Sequence, residues 1–302
     1  MQSASTAQSV LSVQPLNRHC IRKDMTTKKG ESALSVEDIP IPGYAKSVTL
    51  RSYRPASDKS VAALPIVLYF HGGSFVSGGL EEAAVPAATL ASRAHAWVLS
   101  VDYSLAPDFP FPAALEDGYL AVQWAFENAR AVGADPKRIG VVGHDAGGNL
   151  ATCLSAVVRD RKEFELCAQV MVAPMLDPSM TRVGDDSNVT RIDNVTRRCA
   201  LGYRAYLKHV SQRMHPYAAP IESRRLQDLP PALIASAGDD VLHVEAERYS
   251  FELISAGVPT EVTRYKNVSH NDLATHPQVL TDVATFLGKR LGATDGKSLA
   301  RA

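Results

Sequence analysis

Three short stretches carry residue types that can act together. Val141-Val-Gly143-His144-Asp145-Ala146-Gly147-Gly148-Asn149-Leu150 sets an acidic side chain at the centre of a Gly-x-Asp-x-Gly frame. Small residues on both sides are a steric need where a chain turns sharply from a strand into a helix and holds the central side chain up as a nucleophile. Upstream, His71-Gly72-Gly73-Ser74-Phe75 follows an apolar run; glycines there let the backbone turn and expose N–H groups that can hold a developing oxyanion. Downstream come Gly238-Asp239-Asp240 and then Val268-Ser269-His270. Taken singly, an Asp before a helix reads as a cap and a loop His as polar surface. A central acid, a second acid and a histidine, each at a strand end and in that order, read as one site.

The elements that position these residues are legible from periodicity. Ile66–Phe70, Trp97–Val101, Ile139–Val142, Gln169–Ala173 and Ala232–Ser236 are short, almost wholly apolar runs, as strands covered on both faces require. Between them lie helical patterns: Leu115, Tyr119, Val122 and Phe126; Leu150, Cys153, Leu154 and Val157; Ala246, Tyr249 and Leu253; and Leu280, Val283 and Leu287. Strands alternating with helices predict an α/β fold with a mostly parallel sheet. Residues 1–34, rich in Ser, Thr, Gln and Lys, read as a flexible arm, and 35–302 as one domain. The stretch 177–229 breaks the rhythm, with no strand-like run and with Tyr203, Tyr206, Leu207 and Val210 at helical spacing, and reads as a helical cap inserted over the sheet.

Composition narrows the partners. In 302 residues, 32 Lys and Arg balance 32 Asp and Glu, so a nucleic-acid or anionic-membrane surface is not expected. No run approaches the about 18 apolar residues of a membrane span. The N-terminus lacks the basic start and apolar core of a secretory signal. Cys20, Cys153, Cys167 and Cys199 form neither a metal-ligand pattern nor a disulfide framework, and no cofactor motif occurs, so a cytoplasmic protein without metal or cofactor is expected. The expected partner is a small-molecule substrate or ligand; oligomeric state stays open, a homodimer included.

The chain resembles the hormone-sensitive-lipase-like branch of the α/β-hydrolases, which includes many bacterial carboxylesterases. The likeness runs from about Val36 to Leu291 and rests on His71-Gly72-Gly73, on Val101-Asp-Tyr-Ser-Leu-Ala-Pro-Asp-Phe-Pro-Phe-Pro-Ala-Ala-Leu-Glu-Asp117, on the 143–147 turn and on Pro230-Pro231-Ala-Leu-Ile234. It implies an α/β-hydrolase fold and a carboxylesterase-like activity. It assigns the oxyanion-hole N–H donors to Gly72, Gly73 and Ala146, the triad acid to Asp240 and the triad base to His270. The sequence departs from the family at the nucleophile: Asp145 stands where the family pattern has serine. Ser74 also replaces a common third glycine, and Ser104 a common arginine.

An acid at that position changes the chemistry. Two carboxylates, Asp145 and Asp240, flank one imidazole and favour its charged form, so His270 is expected as an imidazolium with a raised pKa. An imidazolium is no general base. Asp145 can attack a saturated carbon and form an alkyl-enzyme ester, as in the haloalkane dehalogenases and epoxide hydrolases of this fold. Attack on an ester carbonyl would instead form an anhydride, a costly intermediate. The other readings are Asp145 as a base toward water, proton shuttling in a lyase, and a catalytically silent small-ligand binder like the plant gibberellin receptors. An engineered replacement of serine is the last. The expected function is hydrolysis of a small ester-like substrate through an Asp-His-Asp site.

Overall fold

A computed structural model describes residues 23–25, 33–56, 63–180 and 194–292. Its frame is a nine-stranded sheet: β1 (Lys23–Met25), β2 (Leu34–Pro42), β3 (Ser47–Pro55), β4 (Leu64–Phe70), β5 (Trp97–Val101), β6 (Ala134–His144), β7 (Ala168–Val172), β8 (Ala232–Ala237) and β9 (Thr260–Tyr265). The spatial order is β1-β2-β3-β5-β4-β6-β7-β8-β9. The first three strands and the β3–β5 join are antiparallel; all pairs from β5 to β9 are parallel. This is an α/β-hydrolase fold.

Side-chain alternation along the central strands divides the core in two. Ile66, Leu68 and Phe70 of β4 and Trp97, Leu99 and Val101 of β5 point to one layer. There they meet α2 (Ala113–Asn128) and α3 (Ala146–Arg161), through residues such as Leu115, Val122, Leu150 and Leu154. Val67, Tyr69 and Val98 point to the other layer, against α1 (Ala84–Arg93) and α7 (Pro277–Leu291), through Leu90, Val283 and Leu287. Trp97 is fully buried, donates to Ser52 Oγ at 2.9 Å and lies 6.0 Å from Trp124. α5 (His243–Ser255) covers β8 through Ala246, Tyr249 and Leu253.

The chain order reverses at β4, which has β5 on one side and β6 on the other. In open parallel sheets the crevice at the strand carboxyl ends of such a switch point is where ligands bind. His71-Gly72-Gly73 leaves β4 and Asp145 leaves β6, so both flank that crevice.

Two parts of the structure extend or differ from the sequence expectation. β1 falls inside the segment read as an arm, pairing Lys23 with Val36 and Met25 with Leu34. A backbone ladder at a sheet edge needs no side-chain period, so nothing in the sequence announces it. The rest of 1–32 lies outside the described residues. Of the stretch 177–229, the described part holds α4 (Asn194–Tyr206) and the short 3-10 turns Val210–Met214 and Pro220–Glu222, with no strand. Among the described residues, no helix is long and apolar enough to cross a membrane.

Candidate active site

Asp145 caps α3 at φ 56 and ψ −118, the sharp strand-to-helix turn that the flanking glycines require. A Cβ on Gly147 would run into the carbonyl oxygens of Phe70 and His71, so only glycine lets α3 start this close to the end of β4. Asp145 also donates its backbone N–H to Val172, tying the turn to the end of β7.

Asp240, His270 and Asp145 come together from three loops, all almost wholly buried. His270 opens α6 (His270–Leu273) after β9, and its Nδ1 lies 2.6 Å from Asp240 Oδ2. Its Nε2 lies 3.2 Å from Asp145 Oδ1, but neither atom finds a hydrogen-bond partner of normal geometry, so this contact is ionic. Asp240 also accepts from the Leu242 N–H at 3.1 Å.

The second oxygen of Asp145 has a different neighbourhood. Oδ2 accepts from the backbone N–H of Gly73 at 2.9 Å and of Ser74 at 2.7 Å, with the Ser74 hydroxyl at 3.4 Å. The carboxylate therefore sits in the N–H cradle that the glycine turn creates. The donors on Asp145 itself are Gly73 and Ser74; Gly72 and Ala146, assigned by resemblance, make no hydrogen bond to it. The reason is local: Gly73, Ser74 and Phe75 all have positive φ, at 116°, 52° and 68°, which rolls the N–H groups of 73 and 74 toward the elbow. Gly72 lies against His144 instead, so close that a Cβ there would overlap the ring at Nδ1.

That loop is braced from both sides. Tyr103 stacks on His71 at 4.2 Å and donates its hydroxyl to the His71 carbonyl at 2.8 Å. From the α4 side, Phe75 stacks face to face on Tyr206 at 4.0 Å and meets Tyr203 at 5.6 Å. Gly202, on the same helix face, rests directly on the Ser74 backbone. Tyr203 and Tyr206 are thus packing residues of the loop, with buried hydroxyls that find no partner.

Electrostatics follow from these contacts. Burial alone would lower the His270 pKa, but the contacts and charges of Asp145 and Asp240 outweigh it and raise it to about 10. Burial would raise the Asp145 pKa; His270, His144 and the Ser74 N–H overcome this and hold it well below the usual carboxylate range. His144 is pushed down to about 4, first by burial and then by the positive charge of His270. A neutral His144 donates from Nε2 to the His270 carbonyl at 3.2 Å and props the loop that carries His270. Burial likewise lowers His71.

A cavity of about 380 Å³ reaches Asp145. Its walls are His71, Gly72, Gly73 and His144 near the elbow, Ser77, Gly78 and Glu82 on one side, and Arg198, Asn271 and Thr275 on the other. Ser74 as a donor, His144 as a prop and Arg198 as a wall were not picked out from sequence. Ser74 alone left a signal, as the departure from a third glycine.

The alpha/beta hydrolase fold family matches residues 67–273, which span Gly73, Ser74, Asp145, Asp240 and His270. The chain belongs to this family. It is 36% identical over 251 residues to Esterase LipI of Mycobacterium tuberculosis, covering 82% of this chain and 78% of that one. An arylesterase of Saccharolobus solfataricus is 29% identical over 281 residues, covering 92% and 88%. Among solved structures, the hyperthermophilic esterase of Pyrobaculum calidifontis superposes with a TM-score of 0.75 at 34% identity, covering 84% of this chain and 83% of that one. The chain is a carboxylesterase-like α/β hydrolase.

Proposed function

We propose that this hydrolase cleaves a small ester-like substrate, one in which a saturated carbon carries an acidic leaving group, and that Asp145 is the nucleophile of an Asp145–His270–Asp240 site. The observation that carries this reading is the division of labour between the two oxygens of Asp145: Oδ2 is held by Gly73 and Ser74 N–H, while Oδ1 is left beside His270. A substrate carbonyl would have to displace Oδ2 from the cradle before acyl transfer. Attack on a saturated carbon needs no such exchange.

Oδ1 forms a bond to the carbon, the leaving group departs with the bonding pair, and the Nε2 proton of His270 goes to it. Asp145 is now a neutral ester, and His270, having lost that proton, is a base. It takes a proton from water, whose oxygen attacks Cγ of Asp145. The resulting oxyanion is Oδ2, already seated on the two N–H donors. Collapse breaks the bond from Cγ to Oδ1, and the alcohol leaves with the His270 proton. The acid of Asp145 then returns its proton to His270, which restores the ion pair. Asp240 holds the ring and its charge throughout.

Single turnover in ¹⁸O-water with a short alkyl bromide or an activated alkyl ester tests this. The label is expected in the Asp145 carboxylate, read by peptide mass, with an alkyl adduct on Asp145 at early times. Label in the product alone would mean that Asp145 acts as a base toward water. The same occupancy of the cradle supports a second reading, a small-ligand binder. No adduct, no label and a ligand recovered unchanged would favour it.

A further inference from the structure

Arg198 is the cation of the cavity wall, and the catalytic reading leaves it without a task. It lies one helical turn before Gly202 on α4, the residue that rests on Ser74, so the helix carries it to the edge of the N–H cradle. Its Nη2 donates to Asn271 Oδ1 at 3.3 Å, next in sequence to His270. Its Nε is buried and finds no acceptor. Among the described residues, no carboxylate lies within ion-pair distance of it, although ion pairs are frequent elsewhere on the molecule. Arg198 is half-buried; its buried Nε has no acceptor and its Nη2 meets a neutral amide in an exposed contact, so the guanidinium keeps donors that a bound anion can take up.

The other charges around the cavity are few. Asp145 is paired with His270 and held by its two N–H donors, and Asp240, which leaves the triad with one net negative charge, stands on the far side of the His270 ring and does not line the cavity. Glu82 stands on the opposite side and is exposed, where solvent screens it. Burial lowers the pKa of both His71 and His144, which favours their neutral forms.

We propose that Arg198 is a specificity-determining residue, and that the substrate carries, besides its reacting carbon, a carboxylate that the Arg198 guanidinium binds in place of the Asn271 carbonyl. The planar fork of a guanidinium matches a carboxylate in a way that an ammonium does not, so lysine is not an equal substitute. This deepens the functional reading above and rests on it for the word substrate; binding itself is independent of it.

The test is calorimetric binding of monoethyl succinate and of diethyl succinate to the full chain. The monoester is expected to bind at least about tenfold more tightly, and rising salt is expected to weaken it alone. Arg198→Gln is expected to erase the difference and Arg198→Lys to keep part of it. Asn271→Asp, which leaves Arg198 in place but gives it a carboxylate, is expected to erase the difference too, and guards against misfolding of the first variant. Equal affinities for the two esters, no binding of either, or a preference that survives both Arg198→Gln and Asn271→Asp would overturn the proposal. A preference for the monoester without ¹⁸O in Asp145 would leave this site standing and remove the nucleophile.

Discussion

Gly202 lies so close to Ser74 that a Cβ at 202 would overlap the Ser74 carbonyl oxygen and crowd its side chain. The contact joins the helix over the site to the loop that supplies the N–H donors. Phe75, stacked on Tyr206, fixes the same junction one residue further on. α4 is therefore part of the support that keeps Ser74 and Phe75 in their positive-φ conformation, which L side chains seldom adopt.

Gly202→Ala is expected to push α4 away from the loop, at a cost typical of overpacking, about 1–3 kcal/mol in unfolding free energy. It is also expected to loosen the Ser74 N–H from Asp145, so the Asp145 carboxyl should titrate closer to its ordinary range. Carbon-detected NMR of the Asp145 carboxyl reads the second effect, and an unchanged titration would show that the loop holds its shape without the helix.

The His270 titration has a definite sign. Its folded pKa is raised to about 10 by Asp145 and Asp240, above the roughly 6.5 of a free imidazole. Its stabilising contribution is then complete below pH about 6.5 and lost as pH climbs through the folded value. The lowered pKa of Asp145 works from the other side: its contribution is present above about pH 3.9 and lost as pH falls through the folded value. The excess melting temperature of the unaltered chain over Asp145→Asn should peak between about pH 4 and 6.5 and shrink toward pH 10. A difference that grows with pH would contradict the ion-pair assignment.

Asp145→Ser tests whether the remainder of the site can run acyl transfer. With a neutral hydroxyl at 145, the Gly73 and Ser74 donors are vacated, and His270 loses one of its two flanking charges. One such donor is worth roughly 2.7–4 kcal/mol in the transition state, so a short-chain aryl ester should be hydrolysed at clearly measurable rates. The unaltered chain should show little or no burst with that ester, and Asp145→Asn should be inert. Burst amplitude in stopped flow separates the three proteins.

Asp117 predicts a purely structural effect. Buried in α2, it accepts from the Tyr44 N–H at 2.7 Å and from the Ser104 N–H at 2.8 Å, pinning the loop after β5 to the β2–β3 connection. Asp117→Ala is expected to cost about 2–4 kcal/mol in denaturant unfolding, because two N–H groups lose a charged acceptor.

Much of this was legible because buried parallel strands leave a strong signal. β5, β7 and β8 are covered on both faces and read as continuous apolar runs. β2 and β3 did not show, since Ile39-Pro-Ile-Pro42 lacks two backbone donors and charged side chains interrupt both strands. β9 is an exposed edge, Thr-Glu-Val-Thr-Arg-Tyr, with no apolar run to mark it; only its placement before His270 hinted at a strand. The same contrast holds in the site. Asp145, Asp240 and His270 sit at strand ends in a fixed order, whereas Ser74 joins them through backbone angles. Arg198 reaches Asn271 across 73 residues of chain, a proximity that no local spacing encodes.

The carboxylate at the elbow also decides how this protein would appear in a chemical survey of a proteome. Phosphonate and sulfonyl reagents report hydrolases by capturing an activated serine, and here the captured position offers none. A mixture labelled that way would show serine hydrolases and is expected to leave this chain dark. Electrophiles that esterify acids, such as epoxides and diazo compounds, reverse the contrast, provided they fit the cavity beside Asp145. With Asp145 as the proposed nucleophile, one residue in the 143–147 turn is expected to move the protein from one class of inhibitor to another while its fold stays that of its family.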